Sequence, residues 1–158
     1  MKFTSITMTL FISLLLFSCK PGVSDMEPLD LLSEDIPFSI LAPAGVSTEA
    51  RDVGIVRDIT IQNDDWYSLQ IYESEARSLD VSSIIAELKT EAKGNPFFSQ
   101  MIEENEDGFI FERVVDDEYT NYDFRHVKIR GDKQYLIQTG LSRQYTLDQV
   151  KTLFKSVQ

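Results

Sequence analysis

Tyr122-Asp123-Phe124-Arg125-His126-Val127-Lys128-Ile129-Arg130-Gly131-Asp132-Lys133-Gln134-Tyr135-Leu136-Ile137-Gln138-Thr139-Gly140 is the stretch that decides the fold. Two runs rich in aromatic and branched residues flank Gly131-Asp132, a two-residue loop with glycine where a positive φ is wanted, which is the signature of a β-hairpin. The turn sets the register, with Val127 opposite Leu136, His126 opposite Ile137 and Lys128 opposite Tyr135. Phe109 to Val115 reads as a third antiparallel strand, reached through an acidic tip from Asp116 to Asn121. A four-residue loop after Asp116 would set Glu112 opposite Arg125 and Phe111 opposite His126.

Downstream, Thr146-Leu147-Asp148-Gln149 is a capping box, and Leu147, Val150, Leu153, Phe154 and Val157 form the apolar stripe of a closing helix. Upstream, Asp80 to Lys93 is a helix with Val81, Ile84, Ile85, Leu88 and Ala92 on one side, Asp80 as cap and Gly94 at its end. Pro96 cannot continue it, so Phe97, Phe98, Met101 and Ile102 are expected in a second short helical segment. Earlier still, Val53 to Gln62 and Trp66 to Glu73 pair across Asn63-Asp64-Asp65. That pairing sets Ile61 opposite Tyr67, Ile59 opposite Leu69 and Arg57 opposite Ile71, and gathers Asp58, Thr60, Gln62, Trp66, Ser68, Gln70 and Tyr72 on the other face. Ile36 to Ala42 is a first strand, stopped by Pro43-Ala44-Gly45. The order β-β-β-α-β-β-β-α defines an α+β domain: a twisted, largely antiparallel sheet of about six strands with helices packed on it. Strand order is not readable at this stage.

The amino terminus is of another kind. Lys2, the apolar run Leu10 to Phe17 and Leu16-Phe17-Ser18-Cys19 form a signal segment too short to remain as a membrane span. The last four residues resemble the lipobox of bacterial lipoproteins, which implies removal of residues 1–18 and acylation of Cys19. The alternative is an ordinary secretory signal cleaved nearby. Residues 19–35, with five acids and two prolines, are expected to be an acidic tether, with Leu29, Leu31 and Leu32 able to dock on the domain as a helical turn, and residues 36–158 to be a single α+β domain. Cys19 is the sole cysteine, so no intramolecular disulfide supports the fold.

Phe38-Ser39-Ile40-Leu41-Ala42-Pro43, the hairpin ending at Tyr135-Leu136-Ile137 and the helix to Val157 together resemble the PsbP-like sandwich superfamily. That resemblance implies an accessory or assembly role beside a larger complex, and no active site.

The chain carries 26 acidic against 15 basic residues, a formal charge of −11. Lys2 is the only charge in residues 1–18, so the mature balance is 14 bases against 26 acids, or −12. Such a surface disfavours nucleic acid and anionic membrane surfaces, and leaves any membrane association to a lipid. No nucleophile elbow, phosphate loop, dinucleotide fingerprint or zincin motif occurs, so neither an enzyme nor a cofactor is expected. Glu103 to Gly108 loosely follows a calcium loop, but Val114 stands where a bidentate Glu is required, and no metal site is expected. His126, the single histidine, is expected to be a packed side chain amid aromatics. Two candidate surfaces remain. One is the polar hairpin face with Trp66, Tyr72, Gln62, Ser68 and Gln70, suited to a glycan or peptide. The other is a basic docking face with Arg125, Lys128, Arg130 and Lys133, suited to a protein partner. The expected function is therefore that of a non-enzymatic, lipid-anchored envelope protein that binds another envelope protein. A lipoprotein that binds a small glycan or apolar ligand is the alternative. In a Gram-negative cell the anchored domain would face the periplasm or sit on the outer membrane.

Overall fold

The computed structural model describes residues 22–116, 119–141 and 143–158. The signal segment and Cys19 lie outside the described residues, as do Asp117 and Glu118 of the acidic tip. The class is α+β, as expected: two helices and two antiparallel sheets.

The hairpin from Tyr122 to Gly140 forms as read. Strands β8 (Tyr119–Arg130) and β9 (Lys133–Thr139) pair with His126 opposite Ile137, Val127 opposite Leu136 and Lys128 opposite Tyr135, and Gly131 has φ +60°. Strands β4 (Val56–Gln62) and β5 (Ser68–Glu75) pair two residues out of the expected register, with Ile59 opposite Ile71 and Ile61 opposite Leu69. An even shift keeps every side chain on its face, so Asp58, Thr60, Gln62, Ser68, Gln70 and Tyr72 still share one. Asn63 causes the shift: its Oδ1 accepts the N–H groups of Asp65 and Tyr67, lengthening the turn so that β5 begins at Ser68.

Strand β7 (Gly108–Asp116) corrects an expectation. It runs to Asp116 and a bulge lies between Val114 and Asp116, so Glu112 faces Tyr122, Phe109 faces Arg125 and Gly108 faces His126. The difference from the expected pairing is odd, and an odd shift exchanges the two faces.

Residues 98–104 correct another. Phe98–Glu104 is strand β6, paired with β7, and register shifts fall between Phe98 and Gln100 and between Met101 and Glu103. Each bulge inserts a residue, which turns a period of two into the three-residue spacing of Phe98 and Met101 that reads as helical.

A strand that apolar patterning does not reveal, β3 (Ser47–Val53), pairs with β4 at the sheet edge. Its residues Ser-Thr-Glu-Ala-Arg-Asp-Val are mostly polar because an edge strand is held by its ladder and not by burial. The large sheet has seven strands in the order β3-β4-β5-β9-β8-β7-β6.

The strand expected from Ile36 to Ala42 does not join that sheet. Ser39–Ala42 is β2, paired with β1 (Glu27–Asp30) in a separate two-stranded sheet. Part of the expected tether is thus folded. A 3-10 turn at Val23–Asp25 lies against the closing helix, a second forms at Leu32–Glu34, and Leu31 is 1% exposed. Arg57 of β4 holds this segment, donating to the Glu34 carbonyl at 2.5 Å and pairing with the Glu34 carboxylate at 3.6 Å.

Helix α1 (Val81–Gly94) is capped by Asp80, whose carboxylate accepts from Ser82 and Ser83 N–H. Helix α2 (Leu147–Ser156) starts in the Thr146/Gln149 capping box. The two helices cover opposite faces of the large sheet. Ile84, Ile85 and Ala92 of α1 pack with Phe109, Phe111 and Val127. Val150, Leu153 and Phe154 of α2, with Val157 after it, pack with Ile59, Ile61, Leu69, Ile110, Phe124 and Ile137, and the small sheet extends this layer through Ile40 and Ala42. On its face, α1 lies chiefly against β6, β7 and β8.

Candidate functional site

The expected aromatic face is divided by the fold. Tyr72 lies on the α1 face beside Asp58 and Gln70, but Trp66 precedes β5 and packs against the α2-side core, its ring 5.9 Å from that of Tyr67. Ser68 and Gln70 are buried, with Gln70 donating to Asp58 and accepting from Thr60 Oγ1 at 3.3 Å. Gln62 lies opposite Ser68. What remains open on this face is Glu49, Arg51, Asp58, Thr60, Gln62 and Tyr72, with Glu49 and Arg51 ion-paired at 2.7 Å.

The expected basic face is divided as well. Strand alternation places Lys128, Arg130 and Lys133 on the α2 side and Arg125 on the α1 side. The Lys128 ammonium stands over the Phe38 ring at 5.7 Å, and burial, followed by Arg130, lowers its pKa. Lys133 approaches Glu73 at 3.9 Å, while Arg130 is exposed at the hairpin tip.

Beside α1, the tip of the β3–β4 hairpin and the end of β5 enclose a groove of about 1080 Å³. Asp52, Glu73, Glu75, Glu87 and Glu91 line it against Arg57, Arg77 and Lys133. Glu73 answers Arg57 at 3.6 Å and Lys133 at 3.9 Å, so the balance of the lining is acidic. Ile55, 85% exposed, and Leu88 supply apolar surface, and Val53 is 61% exposed beside Ile55.

A smaller cavity of about 320 Å³ opens at the other end of the sheet, where β7 ends, β8 begins and β9 ends. Arg113, Arg125 and Arg143 line it with the buried Asp123. Arg113 and Arg125 come together because both lie on the α1 face under the observed register, with their guanidinium carbons 6.0 and 5.2 Å from the Phe111 ring centroid. The expected register would have put them on opposite faces, which hid this cluster from a reading of the chain. The excess of bases after position 124 was its only trace in the sequence.

His126 is 1% exposed, edge-on to Phe154 at 6.0 Å, and neither ring nitrogen has a hydrogen-bond partner among the described residues. Burial, followed by the charge of Lys128, lowers its pKa to about 4. At Glu103 to Gly108 the chain turns from β6 to β7, with Asn105 Oδ1 accepting the Asp107 N–H at 3.1 Å. Among the described residues, no three His, Cys, Asp or Glu side chains are grouped to hold a metal, and no helix is long and apolar enough to cross a membrane.

These features define an α+β protein with a helix on each face of an antiparallel sheet, an acidic groove beside one helix and an arginine-lined cavity at one sheet end. No family model, no curated protein and no solved structure matches the chain.

Proposed function

We propose that the protein is a non-enzymatic, lipid-anchored component of the cell envelope, and that it binds another envelope protein through the groove between α1 and the β3–β4 hairpin. The observation that carries this reading is the groove itself. It is large, lies at the side of α1 away from β6 and β7, has an acidic lining and keeps exposed Ile55 at its hairpin tip. An isoleucine in water beside unanswered carboxylates suits a partner segment that offers lysine or arginine next to an apolar side chain. The alternative, a glycan or apolar molecule bound beside Trp66 and Tyr72, has less support, since Trp66 packs against the α2-side core while Tyr72 lies on the α1 face.

The test is site-specific photocrosslinking in the native envelope, with the probe placed at Ile55 or Glu87 and, as a control, at Lys151 on α2. One recurrent protein captured from the first two positions, and lost in Glu87→Lys/Glu91→Lys, is expected. Equal capture from all three positions would sink the assignment of the groove.

A further inference from the structure

The cavity at the β7, β8 and β9 ends has a charge that runs against the rest of the chain. The whole sequence is acidic, yet three guanidinium groups meet one carboxylate among the described residues of this lining. That carboxylate is fully engaged. Asp123 Oδ1 accepts the Thr139 hydroxyl at 2.5 Å and the Phe124 N–H at 2.8 Å. Its Oδ2 faces Arg125 Nη1 at 2.9 Å and Arg113 Nη2 at 3.6 Å.

The arginines are not satisfied to the same degree. Arg125 also donates to the Phe124 carbonyl at 2.8 Å. Arg143 donates to the carbonyls of Asn63, at 2.6 Å, and Asp65, which hold its geometry but carry no net charge. Among the described residues, Arg113 meets a carboxylate only at the long contact to Asp123, apart from its place over the Phe111 ring, and its buried Nε has no acceptor. Positive charge drawn toward a low-dielectric site is stabilised when an anion completes it, and a planar guanidinium matches a carboxylate in two-pronged geometry.

The rest of the lining sets the other half of the ligand. Phe97, Val115 and Leu141 present exposed apolar surface beside the arginines, and Gln138 and Asn121 are buried below them. The volume is at the small end of the range for ligand pockets, enough for one ring or a short chain.

We propose that this cavity binds a small organic carboxylic acid, with the carboxylate paired to Arg113 and the apolar body against Phe97, Val115 and Leu141. The site is separate from the groove assigned to the protein partner, and the two stand or fall independently.

Isothermal titration of the full chain in detergent micelles with benzoate and 3-phenylpropionate, and with the matching amides, tests it. Saturable binding of the acids, none of the amides, and weakening by at least about ten-fold in Arg113→Gln are expected, since a charge-assisted pair is being removed. Val115→Glu changes an exposed rim position and should weaken binding by repulsion without depending on how well Arg113→Gln folds. Arg51→Gln, far from the cavity, should bind as the parent does. No saturable binding of either acid, equal binding of acid and amide, or affinity unchanged in both Arg113→Gln and Val115→Glu would overturn the proposal.

Discussion

At His126 the chain has placed a titratable ring where only its neutral form fits. The residue lies between Gly108 and Ile137 with Phe154 against its ring, Lys128 further disfavours protonation, and Asp107 opposes it more weakly. Its pKa falls from 6.5 to about 4 on folding, so between those values the unfolded chain binds a proton that the folded chain does not. Stability from this group is therefore intact above pH 6.5 and is lost as pH falls toward 4, by about 3 kcal/mol in all. Urea unfolding at a series of pH values across that window should show the slope, and His126→Phe should remove its share. Gly108 is required by the same neighbourhood. A Cβ there would lie 2.4 Å from the Arg125 carbonyl oxygen and 2.8 Å from a Phe154 ring carbon. Gly108→Ala should therefore cost about 1–3 kcal/mol, because backbone must move to admit the methyl group. An unshifted denaturation midpoint would refute that reading.

Among the elements, the segment from Val23 to Ile36 shows how composition misleads. Four of its five acids are exposed, while Leu31 and Ile36 enter the α2-side core and Arg57 holds the fifth, Glu34. If the segment were a tether, Leu31→Ala would be silent. As part of the fold, it should destabilise by about 2–5 kcal/mol, the cost of deleting a buried leucine, and thermal or urea unfolding will distinguish the two. The helices, by contrast, were legible to within a residue or two because caps and stripes are local: Asp80 bonds Ser82 and Ser83, and Thr146 bonds Gln149. Strand β6 was not legible, since its bulges erase the alternation by which a strand is recognised.

For the whole molecule, the folded segment shortens the proposed anchor. If Cys19 carries lipid, only four residue steps separate it from the turn at Val23, a reach of at most about 14 Å. A tether over the whole of residues 19–35 would let the domain roam, whereas so short a link would hold it near the bilayer by the end at which β1 begins. Cys19→Ser should move the protein from the membrane fraction to the soluble envelope fraction without lowering its melting temperature, because residues 1–21 precede the folded elements. Retention in the membrane after that substitution would contradict the lipid anchor.

What the sequence by itself determined are the features in which interacting residues lie close along the chain. The β8–β9 hairpin took its register from Gly131-Asp132, both helices took their starts from their caps, and the α+β class followed from their order. Only the tertiary structure decided which distant strands adjoin. The ladder between β5 and β9, the separate pairing of β1 with β2 and the edge position of β3 rest on backbone hydrogen bonds that any side chain permits. The single bulge near Asp116 had the widest effect. By exchanging faces along β7 it brought Arg113 to Asp123 and Arg125 over one phenyl ring, because alternation along a strand converts an odd change of register into a change of side.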